Sequence, residues 1–237
     1  MKTNTKAAND AHAAPSGKGQ RRAPPTDPAS IKRLHTRAVN HLKKSDPLLA
    51  AVIKRVGPCE MRSEPDAWRA LSSSIIGQQI STYAARAIRG RFAALAADHD
   101  FPPPDYVLKL SDESLRGIGL SANKTRSIRD LAEHFVSGAI DSQKFQKMDE
   151  EEIIAALIPV RGIGRWTAEM FLIFSLGRLD ILAVDDLGLR NAMRKIYDLS
   201  EPPSPTVMRS IAEPWQPYRS VASWYLWRSL DNEPKVS

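Results

Sequence analysis

The chain has 237 residues, 42% of them hydrophobic, and its 34 lysines and arginines outnumber its 27 acidic residues, for a formal charge of +7. A chain of this length can bury a sizeable core, and its basic balance favours polyanionic partners without separating DNA from RNA or anionic lipid. A single cysteine excludes an internal disulfide and an iron–sulfur cluster. The histidines are too scattered for a zinc motif, and no apolar run is long enough for a membrane span.

Residues 1–28 are rich in alanine, proline, lysine, arginine, glycine and serine, and they hold almost no large apolar side chain. Such a segment cannot bury enough surface to order itself, so we expect a disordered basic tail. It lacks the apolar run of a secretory signal, and a single thiol favours a reducing compartment, either a bacterial cytoplasm or a nucleus. A solvated tail is the default role, and weak attraction to DNA is the alternative.

From residue 29 onward the apolar residues recur at helical spacing, and no segment alternates like a strand. A first helix includes residues 31–42, and Asp46 caps a second helix that ends at Gly57. Further helices are predicted over about 65–76, 81–97, 112–117, 122–137, 149–158, 165–176, 187–197, 205–212 and 217–230. Three prolines at 102–104 interrupt the chain after the fourth helix. The predicted fold class is therefore all-α.

Two similar glycine pairs, Gly117-Ile118-Gly119 and Gly162-Ile163-Gly164, each join two predicted helices. A helix N-terminus offers unpaired N–H groups and the positive end of its dipole, and glycine lets a phosphate approach the main chain. An ordinary turn between helices explains each pair equally well. The second pair is followed one helix later by the paired carboxylates Asp185 and Asp186, and this context favours it as the clamp for a DNA backbone.

These residues resemble the helix-hairpin-helix DNA glycosylase superfamily, and within it the 3-methyladenine DNA glycosylase II type, which removes alkylated bases. The resemblance rests on Val160-x-Gly-Ile-Gly-x-Trp-Thr-Ala168 followed by Val184-Asp-Asp186. Three more segments resemble the family, namely 74–81 beside the lesion, 117–124 at the first hairpin and 215–220 at the last helix. The match covers about residues 30–231. Without a four-cysteine cluster motif or an N-terminal β-rich domain, the chain looks like the compact form.

The resemblance implies that Asp186 is the catalytic carboxylate. Breaking an N-glycosidic bond builds positive charge at the anomeric carbon, and a nearby carboxylate stabilises that charge and positions water. Asp185 then serves as a helix N-cap or as a support for its neighbour, while the plain alternative is that both acids only cap the next helix. Trp166 stands where bifunctional relatives have a lysine that forms a Schiff base, which an indole cannot do. We therefore expect a monofunctional enzyme.

The target base has to leave the helix stack before its glycosidic bond can be reached. Gln79 and Ile80 are the candidates for the wedge that fills the gap, with ordinary helix-end packing as the alternative for Ile80. An alkylated purine is electron-poor and stacks well on electron-rich rings, which favours an aromatic pocket. The resemblance implies a pocket that includes Trp166, Trp227 and Met170.

Main-chain amides and charged side chains are expected to hold the DNA strand. Besides the wedge pair, the predicted DNA contacts are Gly117, Gly119, Gly162, Gly164, Arg165, Thr167 and Arg219. Each arginine is equally compatible with a solvated surface position. The family often holds a monovalent cation, Na⁺ or K⁺, on hairpin carbonyls, which here implies Ile158, Val160 and Ile163. We expect no other cofactor, neither zinc nor an iron–sulfur cluster.

We expect two helical lobes flanking a DNA-binding cleft, one made of residues 62–177 with both hairpins and the other of residues 29–61 with 178–237. Asp186 would lie on the wall far from the hairpin. The predicted partner is double-stranded DNA that contains alkylated bases, without a membrane, and the protein is expected to act as a monomer.

The predicted activity is release of alkylated purines such as 3-methyladenine and 7-methylguanine, which leaves an abasic site. Hypoxanthine and ethenoadenine stay open as further substrates. The alternatives are a non-catalytic helix-hairpin-helix module that only holds DNA, a glycosylase/lyase for oxidised bases, and an RNA-binding helical protein.

Overall fold

The computed structural model describes residues 27–231, and within this range the chain is helical and contains no strand. The helices are α1 (Pro28–Ser45), α2 (Pro47–Val56), α3 (Ala67–Gly77), α4 (Thr82–Ala93), α5 (Pro104–Lys109), α6 (Asp112–Gly117), α7 (Ala122–Val136), α8 (Glu150–Leu157), α9 (Arg165–Phe174), α10 (Leu187–Ile196), α11 (Pro205–Ala212) and α12 (Arg219–Asp231), with a 3-10 turn at Glu213–Trp215. The all-α prediction is confirmed. Residues 1–26 of the predicted basic tail lie outside the described range.

Most helices begin at an aspartate or serine whose side chain accepts a backbone N–H from the first turn, which satisfies one of the otherwise unpaired donors there. These caps are Asp27, Asp46, Asp66, Ser81, Ser111, Ser121, Asp149, Asp186 and Ser204. Helix α9 is different, because its N-cap is Gly164 and no side chain bonds to its first amides. The start of α9 therefore presents N–H groups that an outside acceptor can reach.

Three predicted boundaries change. Pro104 does not merely interrupt the chain but opens the six-residue helix α5, because a proline is well tolerated in the first turn of a helix. Helix α3 begins at Ala67 and not at Pro65, since the Asp66 side chain caps it. The fourth predicted helix ends at Ala93, four residues short of the predicted limit of about 97.

The helices pack in two groups around one continuous apolar core. Helices α3 to α9 pack mainly on one another, with α7 against α3, α5 and α6, and with α8 against α9. Helices α1, α2, α10 and α12 pack on one another, and the 3-10 turn packs on α1 and α11. These contacts favour the predicted division into two lobes, whose limits at residues 62 and 178 stay a prediction.

A buried carboxylate joins the elements of the second group. Asp46 accepts hydrogen bonds from the Leu49 amide at 2.9 Å, the Trp215 indole at 2.8 Å and the Tyr197 hydroxyl. Burial and the hydrogen bond to Asp46 raise the pKa of Tyr197. The three donors come from α2, the 3-10 turn and the end of α10, so this carboxylate fixes α10 relative to the N-terminal helices.

None of the described helices is both long and apolar enough to cross a membrane.

Candidate active site

Asp186 is a buried carboxylate, 8% exposed, at the N-terminus of α10. Its Oδ1 atom accepts from the Leu189 amide at 2.5 Å and from the Trp227 indole at 2.8 Å. Its Oδ2 atom accepts from the Trp166 indole at 2.7 Å. Donors from α9, α10 and α12 therefore hold this carboxylate in one orientation.

A glycine makes room for this arrangement. A Cβ atom at Gly188 would lie 3.2 Å from Asp186 Oδ1 and 3.5 Å from Trp227 Cδ1. The contact with Oδ1 is tighter than ordinary van der Waals separations, whereas the contact with the indole is an ordinary one, so a side chain at this position would press on the carboxylate. The sequence reasoning did not single out Gly188, whose role appears only when α10 and α12 are brought together.

Asp185 does not fill the N-cap role suggested for it. The cap of α10 is Asp186 itself, and Asp185 is exposed. The alternative that Asp186 only caps a helix is too narrow, because a cap needs one amide bond and this carboxylate also receives two indole N–H groups. A supporting role for Asp185 stays a prediction.

The structure joins Asp186 to the hairpin directly, whereas we predicted that the two lie on opposite walls of a cleft. Trp166 is the second residue of α9, and its indole reaches the carboxylate while 43% of the residue stays exposed. The Trp166 side chain bridges the hairpin and the carboxylate, and the placement of Asp186 on the far wall stays a prediction. Oδ2 is the carboxylate oxygen bound to the partly exposed Trp166.

A cavity of about 390 Å³ lies between α3 and α9. Met170, Phe171 and Phe174 form its apolar wall, and the Phe174 ring packs against the Trp227 ring with centroids 5.7 Å apart. Of the predicted pocket residues, Met170 lines the cavity, and Trp227 contacts it only through Phe174. Phe174, which was not among the predicted site residues, is half-buried.

A larger groove of about 1210 Å³ lies on the opposite face of α9, where Arg165 and Glu169 point. Its lining includes many charged side chains from α1, α8, α11 and the start of α12. Asp186 and its two tryptophans line neither this groove nor the smaller cavity. The smaller cavity suits a flat apolar ligand better, because its wall is aromatic and its Phe174 ring packs against Trp227, which donates to Asp186.

The hairpin turn before α9 is exposed and is hydrogen-bonded to the wedge loop, the segment of residues 78–81 that contains the predicted wedge candidates. Gly162 has φ +81°, and a Cβ atom there would lie 2.9 Å from the Ser127 hydroxyl oxygen, so this position requires glycine. Gln78 Nε2 donates to the Gly162 carbonyl oxygen at 2.8 Å. Sequence reasoning missed Gln78, because nothing in its neighbours reveals a partner 84 residues away.

The two wedge candidates lie at the surface between α3 and α4. Gln79 is exposed and has φ +56°, an uncommon conformation for a residue with a side chain, and Ile80 is 36% exposed. Tyr83, in the first turn of α4, is 86% exposed and extends the same surface. Tyr83 was not among the predicted site residues. The choice between Gln79 and Ile80 stays open.

Two predicted DNA contacts, Arg165 and Arg219, already pair with carboxylates of the protein, and a contact from either arginine to DNA stays a prediction. Arg219 donates to both oxygens of Asp180, at 2.8 and 2.9 Å, and also to the Asp180 carbonyl oxygen. Arg165 binds Glu151 through two nitrogens and Glu169 Oε1 at 3.2 Å, and its hydrogen bond to Glu151 raises its pKa. Their guanidinium groups hold helices and loops together.

Two other predicted contacts are reassigned in part. The Thr167 side chain is buried in the cavity wall, so a DNA contact there can come only from its main-chain N–H. At the first hairpin, Gly119 has φ +102°, and a Cβ atom there would lie 3.0 Å from Arg91 Nη2. Arg91 Nε donates to the Ile118 carbonyl oxygen at 2.7 Å. Gly119 thus contacts protein, while contacts from Gly117 and Gly164 stay predictions.

The carbonyls suggested for a monovalent cation lie in and beside the second turn. The Val160 carbonyl oxygen accepts the Ile163 amide at 3.0 Å, and within the described residues no turn hydrogen bond goes to the Ile158 or Ile163 carbonyl oxygen. Hard oxygen ligands of this kind suit Na⁺ or K⁺. No group of three or more histidine, cysteine or acidic side chains in residues 27–231 is arranged to hold a metal ion.

Two indoles hold a buried carboxylate, which lies one helix after an exposed glycine turn. One of these indoles packs against the wall of an aromatic cavity. Together these features define a base-excision site on a helix-hairpin-helix scaffold. Residues 72–217, which span the wedge loop, both hairpins and Asp186, match the model of the HhH-GPD superfamily of base excision DNA repair proteins. The chain belongs to this family.

Individual relatives agree with this placement. The alkylbase DNA glycosidase-like protein mag2 of Schizosaccharomyces pombe is 34% identical, over 82% of this chain and 93% of the relative. The structure of the S. pombe 3-methyladenine DNA glycosylase Mag1 in complex with abasic DNA superposes with a TM-score of 0.75 at 34% identity, covering 82% of this chain and 97% of that one. A DNA-3-methyladenine glycosidase from Bacillus halodurans has a TM-score of 0.73 at 35% identity, covering 82% and 89%.

Proposed function

We propose that this protein is a monofunctional DNA glycosylase that extrudes alkylated purines, 3-methyladenine and 7-methylguanine, from duplex DNA and hydrolyses their N-glycosidic bond. The carrying observation is the placement of Asp186, a buried carboxylate with fixed orientation that is linked through Trp227 and Phe174 to an aromatic cavity of about 390 Å³. The relatives named as 3-methyladenine glycosylases, one of them bound to abasic DNA, support the same activity and the same product.

In the proposed reaction the extruded base enters the cavity and its sugar lies against Asp186. As the bond to the base lengthens, positive charge develops at the anomeric carbon, and the Oδ2 oxygen beside the partly exposed Trp166 stabilises it. Water then adds to the sugar, and the carboxylate positions it and takes up its proton. The Trp227 indole and the Leu189 amide hold Oδ1 throughout, so little reorganisation is needed as charge develops.

The absence of an amine beside Asp186 supports a reaction without strand cleavage. The hairpin position next to the carboxylate carries Trp166, which has no nucleophilic nitrogen. Lys124, on α7, donates its Nζ to the Ile76 carbonyl oxygen at 2.8 Å, and burial lowers its pKa. That lysine is committed to the end of α3, so neither residue supplies an amine for a Schiff base with the sugar.

The proposed grip on the DNA strand comes from main-chain N–H groups at the start of α9, which no side chain caps. A monovalent cation on the Ile158, Val160 and Ile163 carbonyls would bridge the turn to a phosphate. Gln79 or Ile80 would fill the gap left by the extruded base. Double-stranded DNA with alkylated bases is the proposed partner, and a monomer is the proposed active form.

Mass analysis of the free bases released from methylated duplex DNA tests the activity. Wild type should release alkylated purines, and Asp186→Asn should bind an abasic duplex as wild type does while releasing bases at least about a hundredfold more slowly. Asp185→Asn is the matched control, because that carboxylate is exposed and accepts no cap bond. Unchanged release by Asp186→Asn would overturn the catalytic assignment and favour a module that only holds DNA.

Borohydride trapping tests the second candidate, a glycosylase/lyase. A covalent protein–DNA adduct would contradict the role given to Trp166. Competition between duplex DNA and RNA separates the remaining alternative, because an RNA-binding protein would prefer the RNA.

A further inference from the structure

The cavity between α3 and α9 also contains a cation. Arg89, on α4, lines it together with the apolar side chains of Met170 and Phe174. Arg89 Nε and Nη2 donate to the Ser73 carbonyl oxygen at 3.0 and 2.9 Å, and the guanidinium forms no ion pair with a carboxylate of residues 27–231. A guanidinium has five N–H donors, so donors remain available to whatever enters the cavity.

The backbone of α3 fixes this guanidinium in place. A Cβ atom at Gly77 would lie 2.5 Å from Arg89 Nη2, so a side chain at this position would displace the end of the guanidinium. Burial lowers the pKa of Arg89, and no carboxylate offsets that effect. The arginine stays charged nevertheless, because an arginine pKa lies far above neutrality.

Capping of the C-terminal end of α3 explains why Arg89 lies there, but it does not explain why Arg89 lines the cavity. Both Arg89 and Lys124 bind carbonyl oxygens in the last turns of α3, those of Ser73 and Ile76, where cations are favoured. Lys124 does this without lining the cavity, whereas Arg89 does both. The two residues therefore separate a helix-capping role from a role toward the ligand.

We propose that Arg89 is a specificity-determining residue that donates to the carbonyl oxygen at C6 of the extruded base. This inference rests on the proposed glycosylase activity. Guanine and hypoxanthine present an acceptor at C6, where adenine presents an amino group, which is itself a donor. A 6-amino group facing Arg89 leaves two donors without an acceptor in a desolvated site, and such mismatches give strong discrimination.

Glu64 also lines the cavity but does not separate the two bases. Its carboxylate accepts from N–H groups, and both an adenine-type and a guanine-type base have such groups at their edge. Ser73 and Ser74 hydroxyls rotate and serve either as donor or as acceptor. Arg89 can only donate, so it is the polar group of this lining that reads the C6 substituent.

The test is the ratio of 7-methylguanine to 3-methyladenine released from one sample of methylated duplex DNA. Both lesions are cationic in DNA but differ in methyl position and in the 2-amino group as well as at C6, so the readout is the change of the ratio between wild type and variant, which does not depend on how much enzyme is folded. Arg89→Met should lower the ratio about tenfold or more relative to wild type, the loss expected for one hydrogen bond to a charged group. Lys124→Met, which removes the other cation at the end of α3, should leave the ratio unchanged.

Arg89→Lys extends the test to a variant that keeps the charge and a donor at the end of α3, and it should lower the ratio less than methionine does. An unchanged ratio in both Arg89 variants overturns the inference, as does an equal fall with Lys124→Met. Wild type that releases neither base overturns the proposed function as well, so the two failures are distinguishable.

Discussion

The Trp166 indole nitrogen lies 2.7 Å from Asp186 Oδ2, and this hydrogen bond connects the hairpin that is proposed to hold the DNA strand with the carboxylate proposed to act on the sugar. Trp166 is the second residue of α9, so the main-chain groups offered to a phosphate and the side chain that orients the carboxylate belong to one helical turn. A displacement of the hairpin therefore displaces the carboxylate's donor.

Trp166→Phe keeps an aromatic ring but removes this donor. We expect base release to slow about tenfold, since a hydrogen bond to a charged group contributes about 1.5–3 kcal/mol, while affinity for an abasic duplex stays near that of wild type. Single-turnover release and a binding titration measure the two effects. Trp227→Phe removes the donor to Oδ1, which the Leu189 amide also holds, and should slow release less. Equal rates for wild type and Trp166→Phe would rule out the positioning role.

The two glycines of the second hairpin should respond differently to alanine. Gly162→Ala places a side chain at φ +81° and against Ser127, so we expect a loss of about 1–3 kcal/mol in the free energy of unfolding. Gly164 is the N-cap of α9 with φ −95° and nothing within 4 Å of an added Cβ atom, so Gly164→Ala should keep wild-type stability.

Affinity for duplex DNA completes that comparison. Gly164→Ala should bind DNA more weakly, because a methyl group on the exposed turn would stand between a phosphate and the amides. Thermal unfolding and a DNA titration on the same preparations measure both quantities. Full DNA affinity in Gly164→Ala would contradict the proposed grip.

Glu169 is a buried carboxylate on α9 whose Oε2 atom has no hydrogen-bond partner among the described residues. Burial raises its pKa, and the ion pair with Arg165 only partly opposes this. The folded pKa is above the unfolded one, so wild type loses stability as the pH rises from about 4.3, the ordinary glutamate value, through the folded pKa.

Glu169→Gln removes this charge and should therefore melt at a higher temperature than wild type at pH 8. The difference should shrink toward pH 4, where the wild-type side chain is protonated. Melting curves across this range measure the effect, and Glu151→Gln serves as a comparison, because the pKa of that exposed carboxyl is lowered by its hydrogen bond to Arg165. A variant that is less stable than wild type at pH 8 would show that the ion pair outweighs burial.

Burial raises the pKa of the Cys59 thiol to about 11. The thiolate is the reactive form, and at pH 8 the native protein should react with iodoacetamide at least about tenfold more slowly than the unfolded chain, whose thiol has an ordinary pKa near 8.5. Mass spectrometry of alkylated protein with and without guanidinium measures both rates. Similar rates in the two states would mean that the thiol is accessible in the folded protein.

Local sequence determined much of the helical framework. Serine and aspartate caps, apolar spacing and the glycine pairs placed most helices and both hairpins, because each of these signals acts within a few residues of the chain. The resemblance also singled out Asp186, and the chain's membership of the HhH-GPD superfamily was expected from motifs that are contiguous in sequence.

Only the tertiary structure decided what these residues contact. In the sequence, Arg165 and Arg219 cannot be distinguished from free surface cations. The structure shows that they pair with Glu151 and Asp180. Gln78 reaches Gly162, and Arg89 turns to the cavity, through contacts between segments far apart in the chain. The sequence gives the chemical type of each charged or amide side chain. Its partner depends on which helices pack together, because side-chain interactions act over a few ångströms of space and not over a few residues of chain.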